Sequence, residues 1–361
     1  MQARGTTRGY GHTGNEWNLT GKLVREHILP LLREHGIRYS QLARRGPSRA
    51  KDGFIVLSDT NWPETLYIDG CYKLGDEMND NGTVPQVGGT RKCSIKAKGE
   101  VIDDFLAMIT GGEPFLHVIG FEANELSRAI RDAKYNTEQR TGNYPLIEWN
   151  WNRKACEAYI TEKTGVAWIK SACTFCPFAL ANKEGQGRVL DMLSCEPNSG
   201  IGALIMEYRS ISLNPTQGLI KAGSMLDLLR KAGRHNEMLR AWGRSVAAME
   251  WRIYEVQRVA MPTEKDPAKG VWNRSVRSIA AGTRQEMLND LQELAAAEGA
   301  EVEKDELAVS RVWLTRRNEG FPCYERLYVV APAGARDKEE QRFRTAMARY
   351  LEHQASLVPA L

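Results

Sequence analysis

Apolar residues recur along the chain at two spacings, which separate the predicted helices from the predicted strands. Short continuous apolar runs are typical of buried strands, whereas a spacing near the helical period is typical of amphipathic helices. The predicted strands cover residues 54–57, 116–119, 307–315 and 323–331. The predicted helices cover residues 19–36, with an interruption at Pro30, and residues 99–108, 122–135, 153–164, 186–195, 217–231, 235–260, 283–298 and 337–354.

The order of these elements divides the chain into three predicted parts. Strands and helices mix up to residue 185, which indicates an α/β domain, and a mostly helical region follows over residues 186–260. Residues 261–270 contain two prolines and predict a linker before a small α+β domain over residues 271–361. Residues 75–98 are polar and glycine-rich and predict a long loop, which in a compact domain tends to be functional.

The composition is that of an ordinary globular protein and does not identify a binding partner. The 361 residues are 42% hydrophobic and 26% charged, and 49 basic residues against 45 acidic ones leave a net charge of +4. This mild charge does not by itself indicate nucleic-acid binding. No stretch approaches the roughly 20 consecutive apolar residues of a membrane span, and the N-terminus lacks the apolar segment of a secretory signal. We therefore expect a cytoplasmic protein that does not enter a membrane.

The strongest local motif is a pair of cysteines, Cys173 and Cys176, followed directly by Pro177. Two thiolates at this spacing can bind one metal centre, because the turn between them directs both sulfur atoms to the same side. Such a pair alone fits a redox disulfide, half of a zinc site or half of an iron–sulfur site. The proline favours the last of these, since a Cys-Pro ending recurs in loops that bind clusters.

Two further cysteines complete a predicted four-thiolate metal site. Cys156 lies in the preceding predicted helix, and Cys93 follows Arg91 and Lys92, whose charges favour a thiolate. Zinc is the alternative metal, although structural zinc sites more often use two such pairs. Packing in a core is the alternative role for Cys156. The remaining cysteines are predicted to be packing residues, and they are Cys71, Cys195 and Cys323.

Two other segments carry residues that suit a ligand. Residues 120–128 predict the end of a strand followed by a helix, where Arg128 could contact a phosphate or sulfate. The alternative is a surface pair between Glu125 and Arg128. Residues 144–153 combine aromatic residues with a cation, as a platform for stacked bases does, but burial of the tryptophans in the core is favoured.

In combination, five segments resemble the phosphoadenosine phosphosulfate (PAPS) reductase-like family of the PP-loop, or adenine nucleotide α-hydrolase-like, superfamily. The likeness is closest to divergent members found in phage genomes, and it covers residues 12–185, about half of the chain. The matching segments are His12-Thr-Gly-Asn-Glu16, Arg91-Lys-Cys-Ser-Ile-Lys-Ala-Lys98, Gly120–Arg128, Tyr144-Pro-Leu-Ile-Glu-Trp149 with Arg153, and Ser171-Ala-Cys-Thr-Phe-Cys-Pro-Phe178.

The resemblance implies an open parallel sheet of the adenine nucleotide α-hydrolase type that binds an adenine nucleotide. It implies a [4Fe–4S] cluster held by Cys93 and the pair Cys173 and Cys176, with Cys156 as the predicted fourth ligand. The residues that it assigns to ligand binding are Gly14, Glu16, Lys96, Lys98, Gly120, Glu125, Arg128 and Arg153.

One element of that family is missing from the sequence. The phosphate-binding S-G-G-x-D-S loop of the family would precede Gly14, and residues 1–13 do not contain it. Backbone N–H groups of such a loop approach phosphates closely. We therefore expect the sheet to be incomplete at its N-terminal end, and the nucleotide site to lack this loop.

Two functions follow as hypotheses, while the catalytic residues and the oligomeric state are left open. The first is an iron–sulfur enzyme that acts on an adenylated or activated-sulfur substrate, by sulfonucleotide reduction or by sulfur transfer, including thiolation of a nucleic acid. The alternative is a non-catalytic protein with a structural metal and a degenerate nucleotide pocket, which binds nucleic acid or a partner protein. Its candidate contacts are Arg274, Arg277, Arg311, Arg316 and Arg317.

Overall fold

The computed structural model describes residues 7–89, 91–168, 170–221 and 223–357. The chain divides into two units, each with its own core. The first consists of Met1–Gly75 and Arg91–Cys173, and the second of Asp76–Thr90 and Thr174–Leu361.

Five strands of the first unit form two small sheets. They are β1 (Thr7–Gly11), β2 (Arg38–Arg44), β3 (Phe54–Thr60), β4 (Phe115–Val118) and β5 (Arg140–Asn143). Strands β1 and β2 are parallel, as are β4 and β5, whereas β3 joins β2 in the antiparallel direction. The first unit is therefore mixed α/β with a small parallel sheet. The antiparallel β3 departs from the all-parallel sheet that the sequence predicts.

Short helices surround these strands. They are α1 (Asn18–Leu23), α2 (Leu29–Glu34), α3 (Arg49–Asp52), α4 (Leu74–Asn81, which continues into the second unit), α5 (Lys92–Ser94), α6 (Glu100–Thr110), α7 (Leu126–Asp132), α8 (Pro145–Glu148) and α9 (Arg153–Thr164). A π-helical turn over Val24–Ile28 separates α1 from α2, and Pro30 lies in the first turn of α2. The predicted interruption near Pro30 is confirmed, because proline is tolerated at a helix start but not within one.

Two apolar clusters stabilise the first unit on either side of β2. Leu29 and Leu32 of α2 pack with Tyr39 and Leu66. Leu42 packs with Val101 and Phe105 of α6. Tyr39 and Leu42 both belong to β2, so this strand lies between the clusters and fixes the position of its parallel neighbour β1.

The second unit is built on one six-stranded sheet with the strand order β11-β7-β6-β10-β9-β8. Its strands are β6 (Trp251–Pro262), β7 (Gly270–Gly282), β8 (Val302–Lys304), β9 (Ser310–Thr315), β10 (Cys323–Pro332) and β11 (Lys338–Glu339). Its helices after α4 are α10 (Lys183–Cys195), α11 (Pro197–Leu213), α12 (Met225–Ala232), α13 (Asn236–Ala247), α14 (Arg284–Ala297) and α15 (Gln341–Leu357). None of the described helices is long and apolar enough to cross a membrane.

Helix α14 shows how the sequence produces this core. Thr283 and Glu286 form a reciprocal capping box that starts the helix, and Met287, Leu291 and Ala295 follow at four-residue spacing and are buried. These side chains pack against strand residues such as Val256 and Leu327 in the main cluster.

Several predicted boundaries in the second half of the chain are wrong. The predicted helix 235–260 ends at Ala247, and Trp251–Pro262 is a strand. This segment is rich in aromatic and β-branched residues, and pairing with β7 and β10 on both sides selects the strand. The predicted linker 261–270 consists of the end of β6, the hairpin turn and the first residue of β7. The predicted loop 75–98 contains most of α4 and all of α5.

Candidate functional site

The chain turns sharply where β1 ends, in the segment His12–Glu16. Gly14 has a positive φ of 74°, and a Cβ atom there would lie 2.4 Å from Cγ of Lys73. The Asn15 side chain accepts the N–H of Gly75 at 2.7 Å. Gly14 is therefore required by the geometry of the turn, and the turn is held by the first turn of α4.

Glu16 connects this turn to two other side chains. The phenol of Tyr10 donates to Oε2 of Glu16 at 2.7 Å, and Nζ of Lys98 lies 3.2 Å from Oε1. Gly11 allows the close approach, since a Cβ there would lie 3.1 Å from Cα of Lys98. The structure therefore brings together Glu16 and Lys98, two of the predicted ligand-binding residues.

Cys173 reaches the same place. Its backbone forms an antiparallel bridge with Glu16, and its Sγ lies 2.9 Å from Oγ1 of Thr13. Five residues thus meet at the end of β1, and we call them the β1-end cluster: Tyr10, Thr13, Glu16, Lys98 and Cys173. Tyr10 was missed from the sequence, because nothing in a short strand indicates which of its side chains will reach a carboxylate six residues later.

Burial sets the protonation of the aromatic groups here. Burial and the neighbouring Glu16 carboxylate raise the pKa of Tyr10 far above its usual value, so its phenol remains a donor. Burial lowers the pKa of His12, so the ring stays neutral at neutral pH. Neither ring nitrogen of His12 has a hydrogen-bond partner among the described residues.

Lys96, two residues before Lys98, points to a different place. It lines a small pocket with Arg44, Arg49 and Asp104, whose volume of about 10 Å³ leaves room for no more than a water molecule. Arg49 already pairs with Asp104 at 2.5 Å. The two predicted lysines therefore do not act at one site, and Lys98 is the one at the β1-end cluster.

The remaining predicted segments form a separate group in the first unit. The Ala123 N–H donates to the carbonyl oxygen of Trp151 at 2.8 Å, and the rings of Phe121 and Tyr144 stack at 5.9 Å. This packing joins residues 120–128 to residues 144–153. Gly120 lies at the start of the first segment. A Cβ atom at this position would lie 3.8 Å from Cδ1 of Leu146.

The charged residues of this group are engaged with near neighbours. Glu125 belongs to the capping box of the turn before α7 and pairs with Arg128 at 2.5 Å. The Arg128 guanidinium also lies 4.5 Å from the centre of the Phe121 ring. Arg153 is exposed in the first turn of α9. Trp149 is 59% exposed, so its predicted core position is wrong.

The four predicted cysteine ligands lie in different parts of the fold. Cys93 lies in α5, Cys156 in α9 and Cys173 at the β1-end cluster, while Cys176 belongs to the second unit. Among the residues that the structure describes, no three His, Cys, Asp or Glu side chains are grouped to hold a metal ion. The cluster stays a prediction from the sequence. Analysis of the anaerobically purified protein for iron, sulfide and zinc distinguishes a cluster, a zinc site and neither.

The arginines predicted to contact nucleic acid have different roles in the second unit. Arg311 is buried and donates to the carbonyl oxygens of Ile211 and Ser212, and the partly buried Arg274 contacts those of Asn81 and Gly82. These two arginines cap helix ends inside the fold. The three that lie at the surface are Arg277, Arg316 and Arg317.

No family model, no curated protein and no solved structure matches this chain. The functional argument therefore rests on the residues and on their geometry.

Proposed function

We propose that the chain is a PAPS reductase-like protein that acts on an adenylated or activated-sulfur substrate, by sulfonucleotide reduction or sulfur transfer. One observation carries the proposal. Three segments that resemble this family are far apart in the sequence, yet they meet in the β1-end cluster through Glu16, Lys98 and Cys173. The cluster lies at the carboxyl end of a parallel strand, where α/β proteins bind their ligands.

The chemistry of the β1-end cluster suits an anionic sulfur compound. The Lys98 side chain is 39% exposed, and its ammonium has further donors besides the one directed at Glu16. Glu16 orients this lysine and is itself held by Tyr10. The Cys173 thiol lies against the same turn, at Oγ1 of Thr13, so a cation for phosphate or sulfate oxygens and a sulfur atom both contact this turn.

Replacement of Lys98 tests the ligand. We expect Lys98→Ala to weaken binding of PAPS, measured by calorimetry, by roughly tenfold or more, because a hydrogen bond to a charged group is worth about 1.5–3 kcal/mol. Lys96→Ala is the matched control and should bind like the wild type, and Lys98→Arg should retain most of the affinity. Equal losses for Lys96→Ala and Lys98→Ala would contradict the assignment.

Replacement of Cys173 tests the reaction. We expect Cys173→Ser to lower turnover of radiolabelled PAPS, with a dithiol added as the two-electron reductant, or of a sulfur donor, at least about tenfold, since a hydroxyl does not replace a thiolate as nucleophile or metal ligand. Cys195→Ser removes an exposed thiol of the second unit and should leave turnover unchanged. A wild-type protein that turns over neither PAPS nor a sulfur donor would contradict the proposed function.

A further inference from the structure

The second unit contains an open cleft of about 610 Å³, which is a volume typical of ligand sites. Ten residues line it. They come from the end of α10, the start of α11, the two residues before α13, and α13 itself as far as Arg244. They are Ser194, Pro197, Arg234, His235, Asn236, Glu237, Met238, Arg240, Ala241 and Arg244. Three arginines against one glutamate give this lining a positive charge.

Two of these arginines have no ion pair. Arg240 and Arg244 are exposed, lie one helical turn apart on α13, and pair with no carboxylate in the described part of the chain. Like charges at this spacing destabilise a helix slightly, by about 0.2–0.5 kcal/mol. The two guanidinium groups are therefore available to bind successive anionic groups of one ligand.

The rest of the lining is held in place. His235 is buried, and its Nδ1 lies 2.6 Å from Oγ of Ser194. Arg234 donates from Nε to Nε2 of His235 at 3.3 Å, and from Nη2 to Oδ1 of Asp191 at 2.8 Å. Since arginine only donates, Nε2 must accept and Nδ1–H must donate to Ser194. His235 therefore cannot take a proton from Ser194, and this pair orients the cleft instead of activating a nucleophile.

We propose that this cleft binds the phosphate backbone of a nucleic acid, independently of base sequence. Arginine guanidinium groups match phosphate oxygens, and contacts to phosphates carry no sequence information. The first turn of α13 has no side-chain cap and lines the same cleft, which adds backbone N–H donors to those of the arginines. This inference concerns the second unit and does not rest on the proposed function.

Other partners fit the lining less well. Its apolar members are Pro197, Ala241 and the buried Met238, and it contains no phenylalanine, tyrosine or tryptophan. Protein interfaces centre on buried aromatic or large apolar anchors, and membrane surfaces require apolar side chains that insert. Interfaces with nucleic acid are instead polar and positively charged.

The test measures the affinity of the full chain for fluorescent DNA and RNA oligonucleotides, single- and double-stranded, over a range of salt concentrations. We expect Arg240→Gln with Arg244→Gln to weaken binding by roughly tenfold per arginine, and to reduce the slope of log affinity against log salt by about 1 per arginine. Glu237→Gln should strengthen binding a few-fold, because it removes the one carboxylate of the lining.

The matched control is Arg188→Gln with Arg252→Gln, which removes the same charge from an exposed and a partly exposed arginine of the second unit outside the cleft. It should bind like the wild type. Three results would overturn the proposal: equal effects of the two double variants, competition by polyglutamate as strong as by nucleic acid, or binding of inorganic phosphate without any binding of oligonucleotides.

Discussion

Replacing Arg311 by methionine is expected to lower the free energy of unfolding by about 3–5 kcal/mol, because it leaves buried groups without their partner. The Arg311 side chain is 5% exposed. Its guanidinium donates to the carbonyl oxygens of Ser212 at 3.0 Å and Ile211 at 2.8 Å, and to Oδ2 of Asp305 at 2.6 Å. Methionine fills a similar volume but donates no hydrogen bond. The last carbonyl groups of α11 would then be buried and unsatisfied.

Urea unfolding followed by circular dichroism measures this loss. Arg316→Met is the matched control, since Arg316 and its partner Glu303 are both more than half exposed, and such pairs contribute about 0–1 kcal/mol. Arg311→Met that remained folded at low denaturant should bind nucleic acid like the wild type. Equal stability of the two variants would show that Arg311 is not the structural cap described above.

The local periodicity of the sequence predicts many elements of this fold. Helix α9 has the predicted bounds, and α6 and α14 lie within a few residues of theirs, because each shows a clear apolar spacing and ends near a glycine or a cap. Helix α11 was missed. Gly200, Gly202 and several serines give it a low helix propensity, and it forms because Leu204, Tyr208 and Leu213 are buried by the rest of the unit.

The candidate site was predictable in part. The motif residues Glu16, Lys98 and Cys173 could be chosen from the sequence, but their contacts depend on backbone approach, such as that of Gly11 to Lys98. No periodicity distinguishes Lys98 from Lys96, and the structure separates them. The cleft at α13 could not be predicted either, because its lining comes from three helices whose packing the sequence pattern does not specify.

Glu207 is an acidic residue whose burial only the fold explains. Its side chain lies within α11, is 1% exposed, and accepts the N–H of Leu219 at 2.9 Å and of Met225 at 2.7 Å. These two bonds hold the segment that leads from α11 to the first turn of α12. Burial raises the pKa of Glu207 to about 7, although the two backbone donors oppose this shift.

The stability of the second unit should therefore fall as pH rises through the range in which Glu207 ionises. In the unfolded chain this carboxyl ionises near the ordinary glutamate pKa of 4.5, whereas in the folded chain it stays protonated until about pH 7. Its contribution is thus complete below about 4.5, decreases between these values and is lost above about 7, a difference on the order of 3 kcal/mol.

Comparison with Glu207→Gln isolates this effect, because glutamine does not titrate. At about pH 5 the variant should be the less stable protein in urea unfolding. The amide nitrogen of glutamine would face one of the two backbone N–H groups and cannot accept its hydrogen bond. At about pH 8 the wild type carries a buried charge, so the difference between the two proteins should shrink or reverse. A difference that is the same at both pH values would show that Glu207 is ionised throughout, and that Leu219 and Met225 bind a buried carboxylate.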